Sequence, residues 1–208
     1  QFQFLVNVLM TDENQLNSLR RLIEHQLSNP SSLNATKLSS NGLVDSSEIT
    51  LEQFINKCPF TTKAEIIRDH QKNPPFGSNL SIDINTYTRL SKTSGTSGES
   101  ISWLDTSDDW SNMLDAWEFI YNTAKLSPEH DIIYFAFSFG PFLGFWTAYE
   151  AAVRQGFLTV PGGGLSSDAR LESIIDCSAT VLCCTPTYAI RLGEANSKDF
   201  KTKIDTII

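Results

Sequence analysis

The segment KTSGTSGES, residues 92–100, is the stretch from which the rest of the fold can be worked out. Residues 93–97 carry only glycine and hydroxyl side chains, so this run has no apolar surface to bury in a core strand. Glycine and hydroxyl residues also compete with helical hydrogen bonds, which disfavours a helix. The run does offer closely spaced backbone N–H groups beside several hydroxyls, the arrangement with which a backbone wraps phosphate. On composition alone, a flexible Ser/Gly linker is an equally good interpretation.

The flanking residues predict that this loop joins two strands. Residues 87–92 are β-prone, and residues 100–104 alternate polar and apolar side chains, which is typical of a half-buried strand. The nucleotide-binding loop G-x-x-x-x-G-K-[ST] instead leads from a strand into a helix, and its spacing is absent here. The prediction is a hairpin over residues 86–104 that carries the glycine-hydroxyl loop.

The second half of the chain alternates strand and helix patterns. Apolar runs at 131–137, 157–160 and 180–184 predict strands, and the segments 142–155, 167–177 and 188–196 predict helices. A β-α-β-α-β-α order is the signature of a parallel sheet with crossover helices, so the predicted fold class is α/β. A further helix is expected from residue 106, with an apolar stripe that begins at Trp110.

Ligands of open parallel sheets bind beyond the carboxyl ends of the strands. The segments that leave the three predicted strands are 138–142, 161–165 and 185–187, and all are rich in Gly, Pro or hydroxyl residues. Turns between strands and helices favour such residues in any case. Three of them on one edge, together with a phosphate-type loop, favour a binding site.

The first part of the chain predicts helices without strands. Apolar residues at helical spacing indicate a helix over 12–27, and shorter helices are expected over 50–57 and 62–71, each with capping-box spacing at its start. Residues 28–47 are rich in Ser, Asn and Gly and are predicted to be a loop. The expected division is a helical segment and linker over 1–80 and an incomplete α/β subdomain over 81–208.

Three motifs in the same order resemble the adenylate-forming superfamily, and within it the phenylacetate–CoA ligase-like enzymes. The glycine-hydroxyl loop resembles the phosphate loop [ST]-[ST]-G-[ST]-[ST]-G of that superfamily. PFTTKAE at 59–65 and CTPTYA at 184–189 resemble two further segments of the phenylacetate–CoA ligases. The resemblance runs from about residue 19 to about residue 196 and implies the fold of a partial N-terminal domain of an adenylate-forming enzyme.

The resemblance implies a two-step reaction in which a carboxylic acid, ATP with Mg²⁺, and CoA are the small-molecule partners. The acid attacks the α-phosphorus of ATP, giving an acyl-adenylate and pyrophosphate, and the thiol of CoA then displaces AMP. An aryl or arylacetyl acid suits an aromatic slot. By resemblance, the ATP phosphates would be bound by Lys92, Thr93, Ser94, Gly95, Thr96, Ser97 and Gly98. The acyl pocket would be lined by Ser138, Phe139, Gly140, Phe142, Gly162, Gly163, Gly164, Thr185 and Pro186, with the glycines leaving room beneath the aromatic rings.

The sequence also departs from the family pattern. Glu99 and Ser100 stand where the family commonly has lysine and proline, and a carboxylate beside a triphosphate is unfavourable at short range. The adenylation lysine and the acidic Mg²⁺-binding motif have no match, so no catalytic residue is assigned, and we expect an N-terminal fragment that is inactive alone. Two alternatives stay open: a relative of the coenzyme F390 synthetases, which transfer a nucleotide to a deazaflavin, and a non-catalytic binding module.

Composition narrows the function classes. The net charge of −8 argues against a nucleic-acid surface, and no apolar run approaches the roughly 20 residues of a membrane helix. The four cysteines lack metal-ligand spacing, so no metal site or disulfide framework is predicted and a reduced cytoplasm is expected. The sequence predicts no oligomeric state.

Overall fold

The computed structural model describes residues 12–93, 98–195 and 201–208, and it confirms the predicted α/β class with a parallel sheet and crossover helices. The described residues form two units. The first consists of residues 12–86 and 98–103, and the second of residues 87–93, 104–195 and 201–208. Residues 94–97 of the predicted phosphate loop, which are Ser94, Gly95, Thr96 and Ser97, lie outside the described residues.

The first unit is built from helices. They are α1 (Asp12–Leu27), α2 (Leu33–Ser40), α3 (Leu51–Lys57) and α4 (Lys63–Lys72), with short 3₁₀ turns at Ser46–Glu48 and Ile84–Thr86. Thr50 and Gln53 close a capping box at the start of α3, and Thr62 and Glu65 close one at the start of α4. Both capping boxes confirm the sequence prediction.

Helix α2 corrects the prediction that residues 28–47 are a loop. Ser32 caps the helix by accepting a hydrogen bond from the Ala35 backbone N–H, and Leu38 is buried in a cluster with Ile23 and Leu43. The helix has only eight residues and a polar composition, so the sequence carries little helical periodicity. Packing against α1, rather than intrinsic propensity, stabilises it.

Two strands flank the predicted loop, and the first two residues of the second strand, Ser102 and Trp103, fall in the first unit. Strands β1 (Tyr87–Lys92) and β2 (Ser102–Thr106) pair in a two-stranded sheet. Helix α5 (Ser107–Thr123) follows β2 directly. The Thr106 hydroxyl accepts a hydrogen bond from the Asp109 backbone N–H, and the Thr106 backbone N–H donates one to the Asp109 carboxylate, so the predicted helix start is confirmed.

A four-stranded parallel sheet forms the centre of this unit. Its strands are β3 (Ile132–Phe135), β4 (Leu158–Pro161), β5 (Val181–Cys183) and β6 (Thr206–Ile207), in the spatial order β4-β3-β5-β6. The crossover helices are α6 (Leu143–Arg154), α7 (Ser167–Asp176) and α8 (Pro186–Ala195). Strand β6 corrects the sequence prediction, which assigns no strand or helix after residue 196. A strand of two residues has no measurable period, and pairing with β5 is what defines it.

The two faces of the sheet carry separate apolar layers. Successive side chains of a strand point to opposite faces, so Ile133 and Phe135 pack with α5 and α6, whereas Tyr134 and Ala136 pack with α7 and α8. In β5, Val181 and Cys183 likewise pack on the side of α5 and α6, and Leu182 packs on the side of α7 and α8. This double cover explains the near-continuous apolar runs of β3 and β5. No helix among the described residues is long and apolar enough to cross a membrane.

Candidate active site

The strand order places a crevice at the carboxyl edge of the sheet. From β3 the chain passes to β4 on one side, and from β5 it passes to β6 on the other. Helix α6, which follows β3, lies on one face, and α8, which follows β5, lies on the opposite face. The loops after β3 and β5 therefore diverge, and a crevice between diverging loops is where open parallel sheets bind ligands.

The loop after β3 contains four of the predicted acyl-pocket residues. Phe139 is half-buried and packs edge-on against Phe137 and Tyr149, with its ring centroid 4.8 Å from that of Trp146. Phe142 precedes α6, and its ring packs on Phe145. The other two residues, Ser138 and Gly140, are exposed and half-buried, respectively.

The glycines after β4 lie beside this loop. A Cβ atom at Gly163 would be 3.5 Å from the Phe137 carbonyl oxygen and 3.7 Å from the Phe139 ring, so these two segments are neighbours. Gly164 has a φ of +73° and open space around it. Gly162 is different, because a Cβ atom there would be 2.5 Å from the ring of Tyr134. Its missing side chain therefore accommodates Tyr134 rather than leaving room for a ligand.

The loop after β5 supplies the third segment. Thr185 is exposed, and its carbonyl oxygen accepts hydrogen bonds from the backbone N–H groups of Tyr188 and Ala189. Pro186 is the first residue of α8, a position at which proline's missing N–H is tolerated. Helices α6, α7 and α8 all begin at this edge of the sheet. Their N-termini carry partial positive charge, which favours an anionic ligand.

The base of the hairpin is attached to the same edge. The Lys92 backbone N–H donates a hydrogen bond to the Pro141 carbonyl oxygen, with an N···O distance of 2.6 Å. The Lys92 and Thr93 side chains are exposed, whereas Ser91 is buried. The predicted phosphate-binding and acyl-pocket segments therefore meet at Lys92 and Pro141. Gly98, on the far side of the loop, has a φ of +135° and lies in the first unit.

Three charged residues near this edge were not singled out by the sequence patterns. Arg170 is 6% exposed, and its Nε donates to the Gly162 carbonyl oxygen while its guanidinium lies over the Tyr188 ring. Arg89 and Glu150 form an ion pair between β1 and α6. An isolated Arg or Glu in a helix or strand usually faces solvent, so the sequence offered no signal for these contacts.

Comparisons with known proteins fit this geometry. No family model matches the chain. A phenylacetate-coenzyme A ligase from Pseudomonas putida is 25% identical over 150 residues, which are 71% of this chain and 32% of the relative. The open conformation of 2-hydroxyisobutyryl-CoA ligase, in complex with 2-HIB-AMP and CoA, superposes with a TM-score of 0.80 at 21% identity, over 90% of this chain and 43% of that one. The same ligase in its thioesterification state gives a TM-score of 0.81 at 22% identity, over 90% of this chain and 40% of that one.

The chain has the fold of part of a CoA ligase. It spans about a third of the curated relative and about two fifths of the solved ligase structures. The sequence similarity to the phenylacetate-coenzyme A ligase and the structural similarity to 2-hydroxyisobutyryl-CoA ligase agree with the resemblance seen in the motifs. The CoA-ligase-like fold thus confirms the predicted fold class over nine tenths of the chain.

Proposed function

We propose that this chain contributes nucleotide-binding and acyl-binding residues of an ATP-dependent, AMP-forming acyl–CoA ligase. In such an enzyme an oxygen of the substrate carboxylate forms a bond to the α-phosphorus of ATP as pyrophosphate leaves. The thiol of CoA then forms the thioester as AMP leaves. The proposal covers this chain's part in the first step, the binding of ATP and acid.

The main support for this proposal is the hydrogen bond that the Lys92 backbone N–H donates to the Pro141 carbonyl oxygen. It joins the last residue of β1, just before the glycine-hydroxyl run, to the loop after β3. If the glycine-hydroxyl run lay elsewhere on the surface, its composition would support only the interpretation as a flexible linker. Its attachment at the carboxyl edge of a parallel sheet supports a nucleotide site.

Charge neutralisation is the main task of such a site, because the carboxylate and the triphosphate repel one another. Residues 93–98 would bind the β- and γ-phosphates through backbone N–H groups and hydroxyls, and Lys92 would add a positive charge. The N-termini of α6 and α8 lie at the same edge of the sheet and would stabilise negative charge on the reacting groups.

The acyl group would lie against the loops after β3, β4 and β5. Phe139 and Phe142 would supply aromatic surface, and the open space at Gly164 would admit the substrate. An aryl or arylacetyl acid matches this lining. The proposed pocket residues are Ser138, Phe139, Gly140, Phe142, Gly163, Gly164, Thr185 and Pro186.

A protein site for Mg²⁺ does not fit the described residues, since they contain no cluster of three His, Cys, Asp or Glu side chains that could hold a metal ion. In ATP-dependent enzymes Mg²⁺ is held largely by phosphate oxygens and water, so ATP would bring it to the site.

Isothermal titration of the 208-residue chain with ATP and with pyrophosphate, in the presence of Mg²⁺, tests the proposal. We expect saturable binding of both ligands, weakened severalfold in Lys92→Ala. Lys203→Ala is the matched control: it removes the same charge from an exposed position before β6 and should leave both dissociation constants unchanged. Absence of ATP binding by the unaltered chain, or equal loss in both variants, would contradict the proposal.

A further inference from the structure

Glu150 of α6 is the meeting point of three elements. Its carboxylate accepts from the Arg89 guanidinium of β1, with Nη2 at 2.9 Å from Oε2 and 3.2 Å from Oε1. It also accepts from the indole N–H of Trp110 in α5, at 2.8 Å. The Arg89 guanidinium lies 4.9 Å from the centre of the Trp110 ring, which adds a cation–π contact. The Glu150 carboxylate therefore connects α6 both to β1 and to α5.

Helix α6 supports the loop after β3 with the same face. Trp146 lies one turn before Glu150, and residues four apart on a helix are neighbours on its surface. The Trp146 indole N–H donates to the Gly140 carbonyl oxygen at 2.9 Å. The next residue, Pro141, accepts from Lys92. Trp146 therefore holds the loop to which the end of β1 is bonded.

Besides its pairing with β2 and a Thr88–Ser107 contact with α5, strand β1 is bonded to α6 and to the loop that α6 supports at two points three residues apart, Arg89 and Lys92. Since a strand rises about 3.3 Å per residue, the two attachments are roughly 10 Å apart. Two separated attachments on this side of β1 add to the pairing with β2 in defining the direction of the strand relative to α6. The cleft between them, about 180 Å³, is lined by both tryptophans, Pro141 and the Arg89–Glu150 pair.

The ion pair is poorly placed to contribute much to global stability. The Arg89 side chain is 46% exposed and that of Glu150 is 30% exposed, and pairs this open to water contribute little. Arg154 provides a direct comparison, because it joins α6 to Asp115 and Glu118 of α5 at 2.6 Å without contacting β1. What distinguishes the Glu150 pair is its connection to the hairpin.

We propose that Glu150 is a positioning residue that fixes the direction of β1, and with it the Lys92 end of the proposed nucleotide site. The ligand-binding part of this inference rests on the proposed function. The anchoring part concerns β1 alone. Glu150 acts through Arg89 and needs no contact with ATP, so its removal should affect the geometry of β1 more than the stability of the unit.

The test compares Glu150→Gln with Asp115→Asn in the 208-residue chain. A glutamine oxygen can still accept from Trp110 but cannot pair with the Arg89 charge. Asp115→Asn removes a charge from a pair between the same two helices, away from β1. The melting temperature of each variant shows whether the unit remains folded.

Hydrogen exchange is the first measurement. We expect the Lys92 amide to exchange roughly fivefold faster or more in Glu150→Gln, because local opening of β1 becomes easier, and to be unchanged in Asp115→Asn. Equal Lys92 exchange in both variants would overturn the anchoring role, whether or not ATP binds.

Titration with ATP is the second measurement. We expect Glu150→Gln to raise the ATP dissociation constant roughly threefold to tenfold at an unchanged melting temperature, with no change in Asp115→Asn. Faster Lys92 exchange with unaltered ATP affinity would overturn the positioning role. Failure of the unaltered chain to bind ATP would count against the proposed function, and the exchange result would still decide the anchoring.

Discussion

Both units contain capped helices, but they differ in how their helices bury apolar side chains. In the first unit, a small cluster of described residues is buried, formed by Ile23, Leu38, Leu43 and Ile49. Polar contacts at the helix ends, two of which are capping boxes, stabilise the helices further. In the second unit apolar layers cover both faces of a parallel sheet. We therefore expect the stability of the second unit to depend mainly on its buried apolar residues, and that of the first unit mainly on its helix caps. Experiments can test that difference at single residues.

The largest effect is expected for Phe135→Ala. Phe135 is fully buried in β3 and packs edge-on against Phe137 and Tyr149. Truncation of a buried phenylalanine typically lowers the free energy of unfolding by about 3–5 kcal/mol, because it removes apolar contact and leaves a cavity. Urea unfolding measures the change, and Phe119→Ala, at a residue 53% exposed, is the control. A similar small loss in both variants would mean that the sheet interior does not stabilise the second unit.

Gly162→Ala tests close packing at the carboxyl edge of the sheet. A methyl group there would meet the Tyr134 ring at 2.5 Å, and such overpacking typically costs about 1–3 kcal/mol. Gly193→Ala in α8 adds the same methyl group into open space and should be neutral or stabilising. Equal thermal stability of Gly162→Ala and the unaltered chain would contradict close packing of Tyr134 against Gly162.

Thr50→Ala tests the helix termini of the first unit. The Thr50 hydroxyl accepts from the Gln53 backbone N–H at 3.1 Å, and loss of such a cap typically costs about 1 kcal/mol. Circular dichroism during urea unfolding measures the loss. The hydroxyl of Thr61 is one residue before the α4 cap and caps neither helix, so Thr61→Ala should change stability less.

Asp105→Asn should stabilise the second unit at neutral pH. Asp105 is 5% exposed and its Oδ2 has no hydrogen-bond partner among the described residues. Burial, together with the nearby Asp109 charge, raises its pKa. An ionised buried carboxylate opposes folding, so its replacement should raise stability by up to about 1 kcal/mol. The gain should shrink as the pH falls through the raised pKa, because the unaltered carboxyl then becomes neutral. Melting temperatures that favour the unaltered chain at pH 7 would contradict this.

The smallest effect concerns Glu65 of the first unit. Hydrogen bonds from Lys37 and Thr62 lower its pKa from 4.5 to about 2. A lowered pKa contributes stability above the ordinary pKa of 4.5, and that contribution is lost as the pH falls towards 2. The melting-temperature difference between the unaltered chain and Glu65→Gln should therefore be constant near neutral pH and shrink below about pH 4.5. A melting-temperature difference that grows as the pH falls would contradict the lowered pKa of Glu65.

The sequence predicted the fold best where a run of apolar residues marks a buried strand or a capping residue marks the start of a helix. The runs that became β3 and β5, and the caps at Thr50, Thr62 and Thr106, have local physical causes that sequence displays. Helix α2 and strand β6 were missed because tertiary pairing, rather than local pattern, stabilises them. The roles of Arg89, Glu150 and Arg170 depend on which elements meet in space. No spacing along the chain reveals that.

Amide nuclear magnetic resonance of the 208-residue chain, titrated with ATP, tests most directly whether the hairpin base and the strand-end loops form one nucleotide site. We expect the signals of Lys92 and Thr93 to shift at the same ATP concentrations as those of Phe139, Gly140 and Thr185. Shifts confined to one of these segments, or to the first unit, would contradict a single nucleotide site.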